Sequence, residues 1–170
     1  MAAVSDSSPL ILYARIGRLT LLHEVFGEVA APLAVRHEVA IARHGLPGAA
    51  DVVAASWIRW LPATDQASVA SLRKELGHGE AEAIALAVQL ASELGEPLTL
   101  LLDDRAARRR ARQLGLAVTG SGGVLVRAKE QRAIPSVQPV LDALREAGLY
   151  LSALTYRAIL TVAAEPPDDA

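Results

Sequence analysis

Two adjacent carboxylates, Asp103 and Asp104, follow the apolar run Leu98–Leu102 and lead directly into the arginine-laden segment Arg105–Arg112. A short continuous apolar run ahead of a helix reads as a buried parallel strand. The carboxyl end of such a strand is where open α/β sheets place their ligands. Acids held there, beside a row of arginines, suit metal-assisted chemistry on a phosphate-rich substrate. The plainer role is capping of the helix that starts near Arg105. Neighbouring side chains at a strand end point different ways, so one Asp is expected to bind metal and the other to cap the helix or support its partner.

Three more acids qualify. Asp6 ends the apolar segment Ala2–Ser5; its competing role is a helix cap. Glu38 lies three residues after Val35 and four after Ala34, so it shares part of an apolar helix face; a surface ion pair with Arg36 or Arg43 is the alternative. Glu80 opens the most apolar helix of the chain. At 3.6 residues per turn it lines up with Ala83, Ile84, Ala87 and Ala91, whereas Glu82 lines up with Gln89 and Glu93. Glu80 is therefore predicted to point inward and Glu82 to solvent. A carboxylate centred on a core-facing stripe needs compensation, because burying an unpaired charge is costly. A divalent cation, Mg²⁺ or Mn²⁺, held by Asp6, Glu80 and Asp103 or Asp104, would supply it, with Glu38 completing the catalytic set. His23, His37, His44 and His78 show no metal-ligand spacing and read as surface or structural residues, and no G-x-S-x-G elbow is present.

Charge is unevenly spread. Net charge is −2, yet Asp104–Arg132 carries eight Lys/Arg against two Asp/Glu. Arg105, Arg108, Arg109 and Arg112 fall on one helix face, and Arg127 and Lys129 extend the positive region. Such a face is either solvated or a seat for phosphates. The turn Thr119–Gly123 leads from a strand into a helix and could cradle a phosphate with backbone amides, although it matches neither nucleotide-loop fingerprint. With no cysteine, disulfides, thiolate metal sites and cysteine nucleophiles are excluded. The first ten residues lack a basic, apolar leader pattern, and no stretch is long enough for a membrane span. These features lead us to expect a cytoplasmic protein without membrane association.

The elements that must position these groups alternate. Strands are predicted at Ala2–Ser5, Glu28–Ala31, Trp57–Leu61, Leu98–Leu102 and Leu116–Thr119. Helices are predicted at Leu10–Ile16 (Ser8 as cap, Pro9 first), Thr20–Phe26, Pro32–Arg43, Ala49–Ser56, Asp65–Leu76, from Gly79 to about Leu94, Arg105–Leu114, Val124–Gln131, Val137–Ala147 and Ser152–Ala163. The alternation predicts a parallel sheet with helices on both faces, a three-layer α/β/α sandwich. Right-handed crossovers would bring Asp6, Asp103/Asp104 and the Gly120 turn to one edge. Residues 1–163 read as a single domain and 164–170 as a disordered acidic tail.

Taken together, V-S-D-S-S-P-L at Val4–Leu10, P-L-A-V-R-H-E at Pro32–Glu38, L-G-H-G-E-A-E-A-I at Leu76–Ile84, L-L-D-D-R-A-A-R at Leu101–Arg108 and T-G-S-G-G-V-L-V-R-A-K at Thr119–Lys129 resemble the PIN-domain superfamily of metal-dependent nucleases. The nearest likeness is to a PIN-like branch of predicted nucleic-acid-binding proteins, related to toxin ribonucleases of toxin–antitoxin pairs. The resemblance implies the α/β/α sandwich, a metal site at Asp6, Glu38, Glu80 and Asp103 or Asp104, and RNA as substrate, with Arg105, Arg108, Arg109, Arg112 and Lys129 as RNA contacts. It also implies a small antitoxin protein as partner. The apolar helices would permit a homodimer. The chain departs from the pattern at Thr119 and Ser121, where toxin-type members carry a last acid, and at Glu80, where Asp is commoner. The competing expectations are an inert PIN-like RNA-binding or assembly module and a nucleotide-binding regulator built on the Gly120 turn.

Overall fold

A computed structural model describes residues 3–42 and 45–165. Five strands, β1 (Ala3–Ser5), β2 (Val29–Pro32), β3 (Ile58–Leu61), β4 (Thr99–Leu101) and β5 (Ala117–Thr119), form one sheet in the order β3-β2-β1-β4-β5. Every neighbouring pair is parallel. The fold is therefore the three-layer α/β/α sandwich that the alternating pattern predicts, within the described residues.

Side-chain alternation splits the core between two layers. Ala3, Val29, Ala31 and Leu101 face one cluster, built with α1 (Ser7–Arg15), α2 (Thr20–Phe26), α4 (Ala49–Ala54), α8 (Ser121–Glu130), α9 (Gln138–Glu146) and α10 (Ala153–Val162). Val4, Ala30, Leu100 and Leu102 face the other, built with α5 (Gln66–Leu72), α6 (His78–Leu94) and α7 (Arg105–Gln113). With so few aromatics, the packing rests on Ala, Val and Leu.

Strand order reverses direction between β1 and β4, and this is the switch point where an open sheet leaves a crevice beyond its carboxyl ends. Asp6 leaves β1 there, with its N–H bonded to Leu101 O at 3.2 Å. Asp103 and Asp104 follow β4 on the other side.

The first helix starts earlier than its Ser-Pro signal suggested. Asp6, not Ser8, occupies the N-cap position, and Ser7 is already helical. The helix expected over Pro32–Arg43 is α-helical only over α3 (Leu33–His37), then widens into a π-turn at Glu38–Ala42; Arg43 and His44 lie outside the described residues, as does Ala2 of the first predicted strand. Of the expected tail, Ala164 and Glu165 are described. Glu165 accepts from Lys129 Nζ at 2.6 Å, Ser136 Oγ at 2.8 Å and the Val137 and Gln138 amides, while residues 166–170 lie outside the described part.

Candidate active site

The crevice is assembled from chain segments far apart in sequence. Asp6 sits at the start of α1 without making a side-chain capping bond, and it is only 5% exposed. Glu38 is brought to it by the turn from α3 into the π-turn, and Ser7 Oγ donates to Glu38 Oε1 at 3.1 Å. Gly79, in the first turn of α6, fixes their meeting point. A Cβ on Gly79 would lie 2.9 Å from Asp6 Oδ1 and 3.1 Å from Glu38 Oε2. Two carboxylates thus converge on one small volume that the missing side chain leaves open.

Glu80 stands beside this pair, half-buried as its helix phase predicts. Its Oε2 accepts from Gly77 N at 2.6 Å, closing a capping box at the start of α6. Glu80 thus has a structural role at the helix start, and this coexists with electrostatic interaction with Asp6, Glu38 and Asp104. Burial, reinforced by Glu80 and Glu38, pushes Asp6 up to about 7, although the N–H groups of Ser7 and Ser8 pull it back. Burial also raises Glu80, opposed by the Gly77 amide and assisted by Asp104 and Glu38. Crowded acids of this kind favour a shared cation or a shared proton.

The other acids have settled partners. Asp104 caps α7, its Oδ1 accepting from Ala107 N at 2.8 Å. Asp103 turns toward α8: Ser121 N donates to its Oδ1 at 2.7 Å and Ser121 Oγ to its Oδ2 at 2.6 Å. Burial raises Asp103, while Ser121 and Arg108 lower it. Tyr13, buried in α1, donates from its hydroxyl to Ser121 O at 2.9 Å and braces the arrangement. The expected four-acid cluster is therefore a pair, Asp6 and Glu38, flanking the space above Gly79, with Glu80 and Asp104 as charged neighbours, while Asp103 is engaged by Ser121. Glu82 is not solvent-directed: its side chain is 13% exposed, pairs with His78 at 3.1 Å, and accepts from Ala34 N at 3.2 Å. The helix-phase argument missed this because α3 packs over that side of α6.

Among the described residues, no three His, Asp or Glu side chains close on one point as metal ligands. The Asp6–Glu38 pair nonetheless has the donor chemistry of a hard divalent cation: oxygen ligands, buried, with a carboxyl whose charge is unfavourable when uncompensated. Glu80 could join by giving up its bond to Gly77.

A cleft of about 1070 Å³ is lined by Asp103 and Asp104, but not by Asp6, Glu38 or Glu80. Asp103, Asp104, Arg105, Arg108 and Arg112 form one wall, Gly120, Gly122 and Gly123 lie along it, and the loop before α10 forms another. Arg108 is half-buried and its Nε has no hydrogen-bond partner; burial and Arg112 lower its pKa, and Asp103 opposes them. Arg109 is exposed but lies outside the cleft lining. Lys129 is directed away, to Glu165 and to Ala163 O at 2.8 Å. The glycine turn is no open phosphate cradle, since the Ser121 amide is given to Asp103. Its Gly120 is needed for close approach: a Cβ there would lie 3.0 Å from Asp103 Oδ1.

Ser7 and Tyr13, which help place the acids, were not singled out by sequence reasoning, and Ser121 was noted only as a departure from the family's last acid. Only Ser7, next to Asp6, carried a local hint.

A doubly wound parallel sheet with carboxylates gathered at its switch point defines an α/β protein with an acidic site where open sheets place their ligands. The family model described as PIN domain matches residues 2–165, and the chain belongs to that family. PIN domains are generally nucleases and typically use divalent metals. No curated protein and no solved structure matches the chain. Among the described residues, no helix is long and apolar enough to cross a membrane.

Proposed function

We propose that the protein is a metal-dependent endoribonuclease. The observation that carries this reading is the convergence of Asp6 and Glu38 on the space above Gly79, at the sheet's switch point. Asp6 and Glu38 would hold a Mg²⁺ or Mn²⁺ ion, with Glu80 and Asp104 adding negative charge from beside them. When bound, such a cation neutralises phosphate charge and lowers the pKa of water. Arg105, Arg108 and Arg112 would seat the RNA backbone along the cleft they line. Glu80, held above the ordinary carboxylate range, is the candidate base. It takes the proton of an attacking water as the water oxygen bonds to phosphorus and the P–O bond to the leaving strand breaks.

The cellular setting we propose, a cytoplasmic toxin restrained by a small antitoxin, rests on the family resemblance alone. Growth arrest on expression, relieved by a protein encoded beside it, would support that setting; harmless expression would count against it. The enzymatic reading is tested by cleavage of a labelled single-stranded RNA with Mn²⁺. Asp6→Asn and Glu38→Gln should each abolish cleavage with the circular dichroism spectrum retained, and Glu82→Gln should cleave normally. If both acid variants cleave like the native protein, the reading fails. RNA binding without cleavage under Mg²⁺ or Mn²⁺ would instead establish the inert RNA-binding module.

A further inference from the structure

Six aromatic side chains occur in the chain, and five are occupied inside the fold. Tyr13 is buried and hydrogen-bonded to Ser121 O. Phe26 is buried under the Arg127 guanidinium. Trp57 stacks on His23, and Trp60 packs against the core. Tyr156 lies under Arg145 and donates to Asp142. The sixth, Tyr150, is 91% exposed. It lies in the short loop between α9 and α10 and lines the same cleft as Arg105, Arg108 and Arg112, with Leu154, 80% exposed, close behind it in sequence. Tyr150 and Leu154 together leave exposed apolar surface on the wall of a charged cleft. With three guanidinium groups in the same lining, the cleft has the composition of a single-strand channel: cations for the backbone and an aromatic face for the bases.

We propose that Tyr150 is a base-stacking platform that receives an unpaired nucleobase of the RNA whose backbone lies on the arginine wall of α7. The inference rests on the RNA reading above and adds a selectivity to it. A paired base is already stacked within its helix and cannot lie on the ring, so Tyr150 favours single strands over duplexes. Leu154 offers a second apolar contact on the same wall.

The test uses the full chain in EDTA, so that binding is read without cleavage. Fluorescence anisotropy compares an unstructured oligoadenylate of twelve nucleotides with an abasic strand of the same backbone length. Tyr150→Ala should weaken oligoadenylate binding by about tenfold or more and leave abasic-strand binding unchanged. Tyr150→Phe and Tyr150→Trp should retain native affinity, and the salt dependence should be the same in all four proteins, because no phosphate contact is removed. The inference is overturned if Tyr150→Ala binds oligoadenylate like the native protein, if it loses affinity equally for both strands, or if neither strand binds the native protein. Cleavage that persists alongside native binding by Tyr150→Ala removes this inference alone; a base-dependent loss in a protein that never cleaves removes the nuclease reading alone.

Discussion

Replacing Asp6 with Asn should make the protein more stable at alkaline pH while disabling its site. Asp6 is 5% exposed, and its carboxyl is pushed from 3.8 up to about 7, chiefly by burial and further by Glu80 and Glu38. A pKa raised in the folded state means that folding prefers the neutral acid. The stability that goes with neutral Asp6 is fully present below about pH 4 and is lost as pH rises through about 7. The gap between the two values corresponds to about 4 kcal/mol at pH 8. Asn cannot ionise and keeps a similar shape, so it should escape most of that loss. For a domain of this size the gain amounts to roughly 10 °C in melting temperature. Thermal unfolding of both proteins in EDTA, followed by circular dichroism from pH 4 to pH 8.5, reads this directly. The two should melt together near pH 4 and diverge in favour of the variant up to about pH 8. An Asn variant that is less stable at pH 8, or a difference that does not change with pH, would refute the idea that an uncompensated charge is stored at this position.

Gly79→Ala should keep the fold within about 1 kcal/mol, because Ala is the better helix former, yet the new methyl group intrudes between Asp6 and Glu38. Cation-dependent RNA cleavage should then fall about 100-fold through misplacement of the acids; native activity would show that they do not share the space above Gly79. Ser121→Ala removes the hydroxyl donor 2.6 Å from Asp103 and should destabilise by about 1.5–3 kcal/mol in urea unfolding. A loss below about 0.5 kcal/mol would mean that Asp103 does not depend on that bond.

Periodicity made the fold largely legible. The run before Asp103, the short strand before Asp6 and the alternation of strands with helices are local signals, and they suffice for a parallel sheet because crossover handedness leaves few arrangements. The placement of Asp6 at a strand end followed for the same reason. What stayed hidden depends on contacts between distant segments. Glu82 looked solvent-facing because helix phase reports one helix, while α3 supplies the Ala34 amide that it meets. Lys129 looked like part of a basic edge because charge counts carry no direction, and Glu165 claims it. Which of Asp103 and Asp104 caps the helix could be stated only as a choice; Asp104 caps α7, while Ser121, eighteen residues downstream of Asp103, engages Asp103. The π-turn at Glu38 has no composition signal, yet it begins at the residue that joins Asp6.

The central claim is that Asp6 and Glu38 share one cation, and calorimetric titration with Mn²⁺ tests it most directly. Metal binding requires the deprotonated carboxylate, so the native protein should bind more tightly at pH 8 than at pH 6 and release a proton on binding at pH 6, as Asp6 gives up the proton it retains below about 7. Glu38→Gln should bind far more weakly at both pH values. Absence of binding by the native protein, or binding that is equal in native and variant proteins and indifferent to pH, would contradict the account.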